Sequence, residues 1–109
     1  MECPLEIKQL LKVLYNLSSA ETEVMYYLCD HEARASEIAE ELGKDRSTIQ
    51  RYLSKLRTAG LVERERVVEE GKRGRYYVYS VPDTEALKKE IKDRMEEWKK
   101  EKLEALNEL

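Results

Sequence analysis

A chain of 109 residues has room for one compact domain and one accessory element, and its 41% hydrophobic and 39% charged residues suit a folded, helical protein rather than a disordered one. No apolar run approaches the ~20 residues needed to cross a bilayer, and residues 1–10 lack the basic-then-apolar layout of a signal peptide, so a cytoplasmic location and no membrane partner are expected. The net charge of −3 averages three segments of opposite sign: residues 1–43 carry three basic and nine acidic side chains, residues 44–82 ten and five, and residues 83–109 seven and nine. A basic segment able to neutralise phosphates therefore lies between two acidic ones.

In chain order, Leu5, Ile7, Leu10, Leu11, Leu14 and Leu17 follow Pro4 at three-to-four spacing, the mark of an amphipathic helix. Ser18 and Glu21 form an S-x-x-E capping box that opens a second helix over about 19–30, with Val24, Met25, Tyr27 and Leu28 along it. After residues 31–34 a short helix carries Ile38, Ala39 and Leu42 on one face and stops at Gly43, where positive φ is easily accommodated; its start has no clear signal. Asp45 is a suitable N-cap for the next helix, 46–59, which places Ile49, Leu53 and Leu56 on one face and ends at Gly60. Residues 61–68 and 76–80 read as the strands of a β-hairpin with a basic 69–75 tip containing Gly71 and Gly74. Tyr76, Tyr77 and Tyr79 are assigned to sheet packing, with one hydroxyl free for a phosphate, and Tyr26, Tyr27 and Tyr52 to core or dimer contacts. Pro82 ends the second strand, and Asp83 or Thr84 caps a long final helix whose apolar stripe is Leu87, Ile91, Met95, Trp98, Leu103 and Leu106.

These elements predict a mainly α fold with a small β-hairpin: a winged helix-turn-helix over residues 1–82, with an N-terminal helix, and a C-terminal dimerisation helix over 83–109. Turned at about 100° per residue, the 46–59 helix presents Ser47, Arg51, Ser54 and Thr58 outward, flanked by Gln50 and Lys55. Arginine reads guanine, glutamine reads adenine and hydroxyls reach bases or phosphates, so this face suits a DNA groove. Arg46, Ser47, Gln50 and Arg51, near the helix N-terminus, are the expected base readers, and Lys72, Arg73 and Arg75 on the hairpin the expected grip on flanking phosphates or the minor groove.

The segments L-S-S-A-E-T-E-V, S-E-I-A-E-E-L-G, R-S-T-I-Q-R-Y-L-S-K-L, A-G-L-V and G-K-R-G-R-Y-Y-V-Y, spread over residues 17–82, resemble the archaeal TrmB-like and MarR-like winged helix-turn-helix transcription regulators. Each piece is common; their order is specific. The first reading is a homodimeric regulator that binds double-stranded DNA, with the first and the final helix supplying the dimer interface. The other reading is a winged helix that recruits protein within a transcription assembly, which would not need arginine and lysine concentrated on one helix.

Cys3 and Cys29 are far apart in sequence and form no CxxC pair, so buried or idle thiols are expected. Cys29, Asp30 and His31, adjacent at a helix end, cannot converge on one ion without distortion, so no metal or cofactor is expected. No nucleophile, general-base pair or phosphate-cradling loop is present, which argues against an enzyme. No small-molecule effector is readable from the residues.

Overall fold

A computed structural model describes residues 5–68, 71 and 74–109, with side chains from residue 7 onward. The order is α1 (Leu5–Tyr15), α2 (Ser19–Asp30), α3 (Ala35–Leu42), α4 (Arg46–Thr58), β1 (Glu63–Val68), β2 (Arg75–Ser80) and α5 (Thr84–Leu106), so the expected mainly α fold with one hairpin is what forms.

Local chemistry sets most of the helix ends. α1 stops at Asn16, whose φ of 54° is tolerated by a short polar side chain, and the Leu17 N–H turns back to the Lys12 carbonyl at 3.2 Å. Leu17 therefore lies beyond the helix that its periodicity suggested, yet it stays in the core. The Ser18/Glu21 box forms as expected: Ser18 N–H donates to Glu21 Oε1 at 2.7 Å, and Glu21 N–H donates to Ser18 Oγ at 3.1 Å. The unmarked start of α3 is closed by half of the same device: Arg34 N–H donates to Glu37 Oε1 at 2.9 Å, while the Arg34 side chain caps no backbone N–H. Gly43 ends α3 in the left-handed region, as expected. Asp45 departs from expectation: it occupies the N-cap position of α4, but its carboxylate caps no backbone N–H.

α1 and α2 run antiparallel, with the Lys8 ammonium 4.5 Å from the Tyr26 ring centroid and Lys12 Nζ donating to Ser19 Oγ at 3.0 Å. Cys29, buried at the far end of α2, is disulfide-bonded, which corrects the expectation of thiols.

The core collects Leu11 from α1, Val24, Met25 and Leu28 from α2, Ile38 from α3, Ile49, Leu53 and Leu56 from α4, and Leu61 and Val62 from the link to the hairpin. β1 and β2 pair antiparallel from Glu63 opposite Ser80 to Val68 opposite Arg75. Ala33 adds one rung on the other edge of β2, through bonds of 3.0 and 2.8 Å with Tyr79, and buries the Tyr79 ring in the core. This rung locks the hairpin beside the entry to α3.

Gly60, at φ +80°, ends α4, and a Cβ placed there would lie 3.1 Å from the Glu90 carboxyl carbon on α5. Glu90 in turn accepts from the Tyr15 hydroxyl at 3.4 Å, so it has little freedom to withdraw. Gly43 has a similar φ of +64° and open space around it. Gly43→Ala is expected to cost only the left-handed strain of about 1–2 kcal/mol, and Gly60→Ala that strain plus the cost of displacing Glu90. Denaturant midpoints read the difference; equal losses would show that Glu90 moves aside freely.

Candidate nucleic-acid interface

α4 turns Ile49, Leu53 and Leu56 fully inward, and that anchoring fixes what faces out. Arg46, Ser47, Gln50, Arg51, Ser54, Lys55 and Thr58 are all exposed, as the helical periodicity required. Among the described residues no carboxylate pairs with Arg46 or Arg51; the nearest partner of the Arg51 guanidinium is the ring of its neighbour Tyr52, at 5.9 Å. The N-terminal half of the face thus presents two uncommitted guanidiniums, a hydroxyl and an amide.

The C-terminal half is different. Lys55 Nζ donates to Glu21 Oε1 at 3.0 Å and to the Asn16 carbonyl at 2.9 Å, tying α4 to the α1–α2 turn. Burial alone would raise the Glu21 carboxyl, but the bonds from Ser18 and the Lys55 ammonium outweigh it and hold the group below the usual carboxylate range. The Thr58 hydroxyl donates to the Ser54 carbonyl at 2.9 Å. Lys55 and Thr58 have intramolecular work that helix phase alone did not reveal.

In the hairpin, Lys72 and Arg73 lie outside the described residues, and Arg75 is the first residue of β2 rather than part of the tip. The register sorts charge by face. Arg64 and Arg66 stand opposite Tyr79 and Tyr77 and share their face with Arg75, whereas Glu63 and Glu65 share the other with Val78 and Ser80. Arg64 lies on the Tyr77 ring at 3.9 Å. The E-R-E-R run, which cancels in any net-charge sum, becomes one acidic and one basic face; period-two alternation was the signal that exposes it.

Between α3, the start of α4 and β2 lies a cleft of about 230 Å³ lined by Arg34, Ser36, Arg46, Gln50, Arg75 and Tyr77, together with the adjoining Ala35, Tyr76 and Tyr79. No carboxylate lines it. Arg34 was not singled out in the sequence because it precedes the helix-turn-helix pair; its guanidinium lies 4.0 Å from the Tyr76 ring centroid.

The stripe on α5 divides between two destinations. Leu87 is buried in the domain core and Ile91 packs against it, while Trp98 lines a groove with Val13, Leu14, Tyr15 and Arg94. Arg94 Nε donates to the Leu14 carbonyl at 2.9 Å and holds α1 on α5. Met95, Leu103 and Leu106 are 41%, 52% and 59% exposed. Among the described residues no cluster of metal-ligating side chains occurs, and no helix is long and apolar enough to cross a membrane.

Comparison with known proteins agrees with this geometry. Residues 18–64, from the capping box through α4 to the first residues of β1, match the bacterial regulatory protein arsR family. Two uncharacterized proteins of Methanocaldococcus jannaschii are related to the chain: one is 37% identical over 91 residues, spanning 82% of this chain and 67% of the relative, and the other 32% over 93 residues, spanning 84% and 76%. A solved structure from Methanosarcina mazei Go1, described as a possible transcriptional regulator, shares the fold at a TM-score of 0.77 and 22% identity, covering 95% of this chain and 88% of its own. The comparisons give the arsR description for residues 18–64 and do not confirm the TrmB-like and MarR-like subtype.

Proposed function

We propose that the chain, whose residues 18–64 match the bacterial regulatory protein arsR family and which is related to two uncharacterized archaeal proteins, binds double-stranded DNA sequence-specifically as a homodimer and regulates transcription. The observation that carries the reading is the exposed first half of α4, where Arg46 and Arg51 have no carboxylate partner among the described residues. Uncommitted guanidiniums at the N-terminal end of the second helix of a helix-turn-helix suit the major groove, where that end docks and where arginine reads guanine bidentately. Gln50 adds an amide suited to adenine and Ser47 a hydroxyl for base or phosphate. The wing follows with its basic strand face and tip on the flanking backbone.

Selection of bound duplexes from a random pool tests partner, specificity and symmetry together: a palindromic motif supports the reading, and recovery of no enriched duplex overturns it. On the selected duplex, Arg51→Ala is expected to lose about 1–3 kcal/mol and to relax preference at one base position. Equal weakening on selected and random duplexes would assign Arg51 to a phosphate instead.

A further inference from the structure

We propose that the cleft between α3, α4 and β2 seats a backbone phosphate of the bound duplex, held by Arg34 and Arg75; this rests on the DNA-binding reading above and adds a contact outside the recognition helix. Arg34 from the N-cap of α3 and Arg75 from the start of β2 line one hollow, with Arg46 of α4 in its wall and no carboxylate in its lining. The nearest acidic side chains are occupied or turned elsewhere: Glu37 accepts from the Arg34 N–H at 2.9 Å, and Asp45 lines a different hollow with Gly43 and Lys44.

The hollow matches a small anionic group in size and chemistry. At about 230 Å³ it falls below the ~300–1,000 Å³ of pockets that enclose drug-sized ligands, and its wall carries three arginines. A phosphodiester exposes two charged oxygens, and planar guanidinium forks bind such a pair with geometric as well as electrostatic selectivity. Contact of the Arg34 guanidinium with the Tyr76 ring, 4.0 Å from its centroid, restrains the side chain in advance, so less freedom is lost on binding. The Ala33–Tyr79 rung fixes the distance between α3 and β2 on which the convergence depends.

Position favours the DNA backbone as the source of the phosphate. Arg46 and Gln50 line the cleft and also belong to the outer face of α4, so a duplex lying in register with that face brings its backbone past the opening. Beyond Arg75, Arg66 and Arg64 continue the same strand face. A phosphate seated here would couple the recognition helix and the wing to one strand, setting register without reading bases.

The test measures duplex affinity against salt for the full chain and for Arg34→Ala, Arg34→Lys and Arg75→Ala, on selected and random duplexes. Arg34→Ala and Arg75→Ala are each expected to weaken both duplexes by the same factor, about 3- to 30-fold, and to flatten the log–log salt slope by up to ~0.9, one phosphate's share. Arg34→Lys, which keeps charge and loses the plane, is expected to keep the slope and recover part of the affinity. Thermal melting verifies that each variant folds. Unchanged affinity and slope in Arg34→Ala, with the wild type bound, overturn the cleft assignment and leave the DNA reading intact; failure of the wild type to bind any duplex overturns both. Inorganic phosphate at constant ionic strength is the second arm, followed by amide shifts at Ser36 and Tyr77. Shifts lost in Arg34→Ala support the seat, whereas phosphate binding with no change in duplex affinity assigns it to a free anion and overturns the proposal.

Discussion

Replacing Leu103 and Leu106 together by glutamate is expected to convert a dimer into a monomer at micromolar concentration and to weaken binding to a palindromic duplex by about 10²–10⁴-fold, the advantage lost when two linked contacts become one. The isolated chain carries more surface than its mass warrants: 7762 Å², against about 6,300 Å² for a compact monomer of 12.9 kDa. Its radius of gyration of 16.0 Å likewise exceeds the ~13 Å expected for this length, and one axis reaches 62 Å while the others stay at 27 and 24 Å. The excess area is more than the ~800 Å² that each partner of a standard interface contributes. At about 100° per residue, Leu87, Ile91 and Trp98 cluster within a narrow sector toward α1 and the core, whereas Met95, Leu106 and Leu103 drift progressively away from it. The near end of the stripe therefore packs within the chain and the far end is exposed, where the proposed homodimer would place a second chain. Point substitution is the sharper test because removing α5 would also withdraw Leu87 from the core. A two-fold dimer would present two α4 helices to half-sites about 34–36 Å apart. Light scattering that finds the wild type monomeric, or the double variant still dimeric, removes α5 as the interface.

What could be read from the sequence was what depends on neighbours along the chain. The Ser18/Glu21 box, the Gly43 stop and the phase of α4 involve residues within one or two turns of each other, and the structure has each of them. The cleft was not legible, because Arg34, Arg46 and Arg75 are brought together only by the Ala33–Tyr79 rung and the packing of α3 on α4. The bonded state of Cys29 carries no local signal along the chain. The basic face of the hairpin was legible in principle, since strand alternation separates Arg64 and Arg66 from Glu63 and Glu65; attention to the tip and to net charge concealed it. Lys55 shows the limit of helix phase. Its position on the outer face follows from periodicity, but its partners Glu21 and Asn16 belong to a turn 34 and 39 residues earlier.

That network gives a prediction that separates stability from recognition. Glu21→Ala is expected to lower stability by about 1–3 kcal/mol, through loss of the Ser18 N–H bond to its carboxylate and of the charge-assisted bond from Lys55, partly recovered by water. The discount is needed because the Lys55 side chain is 43% exposed and can turn to solvent, whereas the Glu21 side chain is only 10% exposed. Lys55→Ala is expected to lose a smaller amount, with duplex affinity on selected sequences changing no more than for removal of one distant charge. The pH dependence has a definite sign. Glu21 is held below its unfolded value, so its contribution is complete above the unfolded carboxyl pKa near 4.5 and is lost as pH falls from there through the folded value. Glu21→Gln should therefore be less stable than wild type at neutral pH and converge on it in acid, as the wild-type carboxyl takes up its proton. Urea unfolding of both proteins across the acid range measures this directly. Parallel curves with a constant offset would show that the ionised carboxylate is not what holds α2 to α4, and would return Lys55 to the list of residues free to meet DNA.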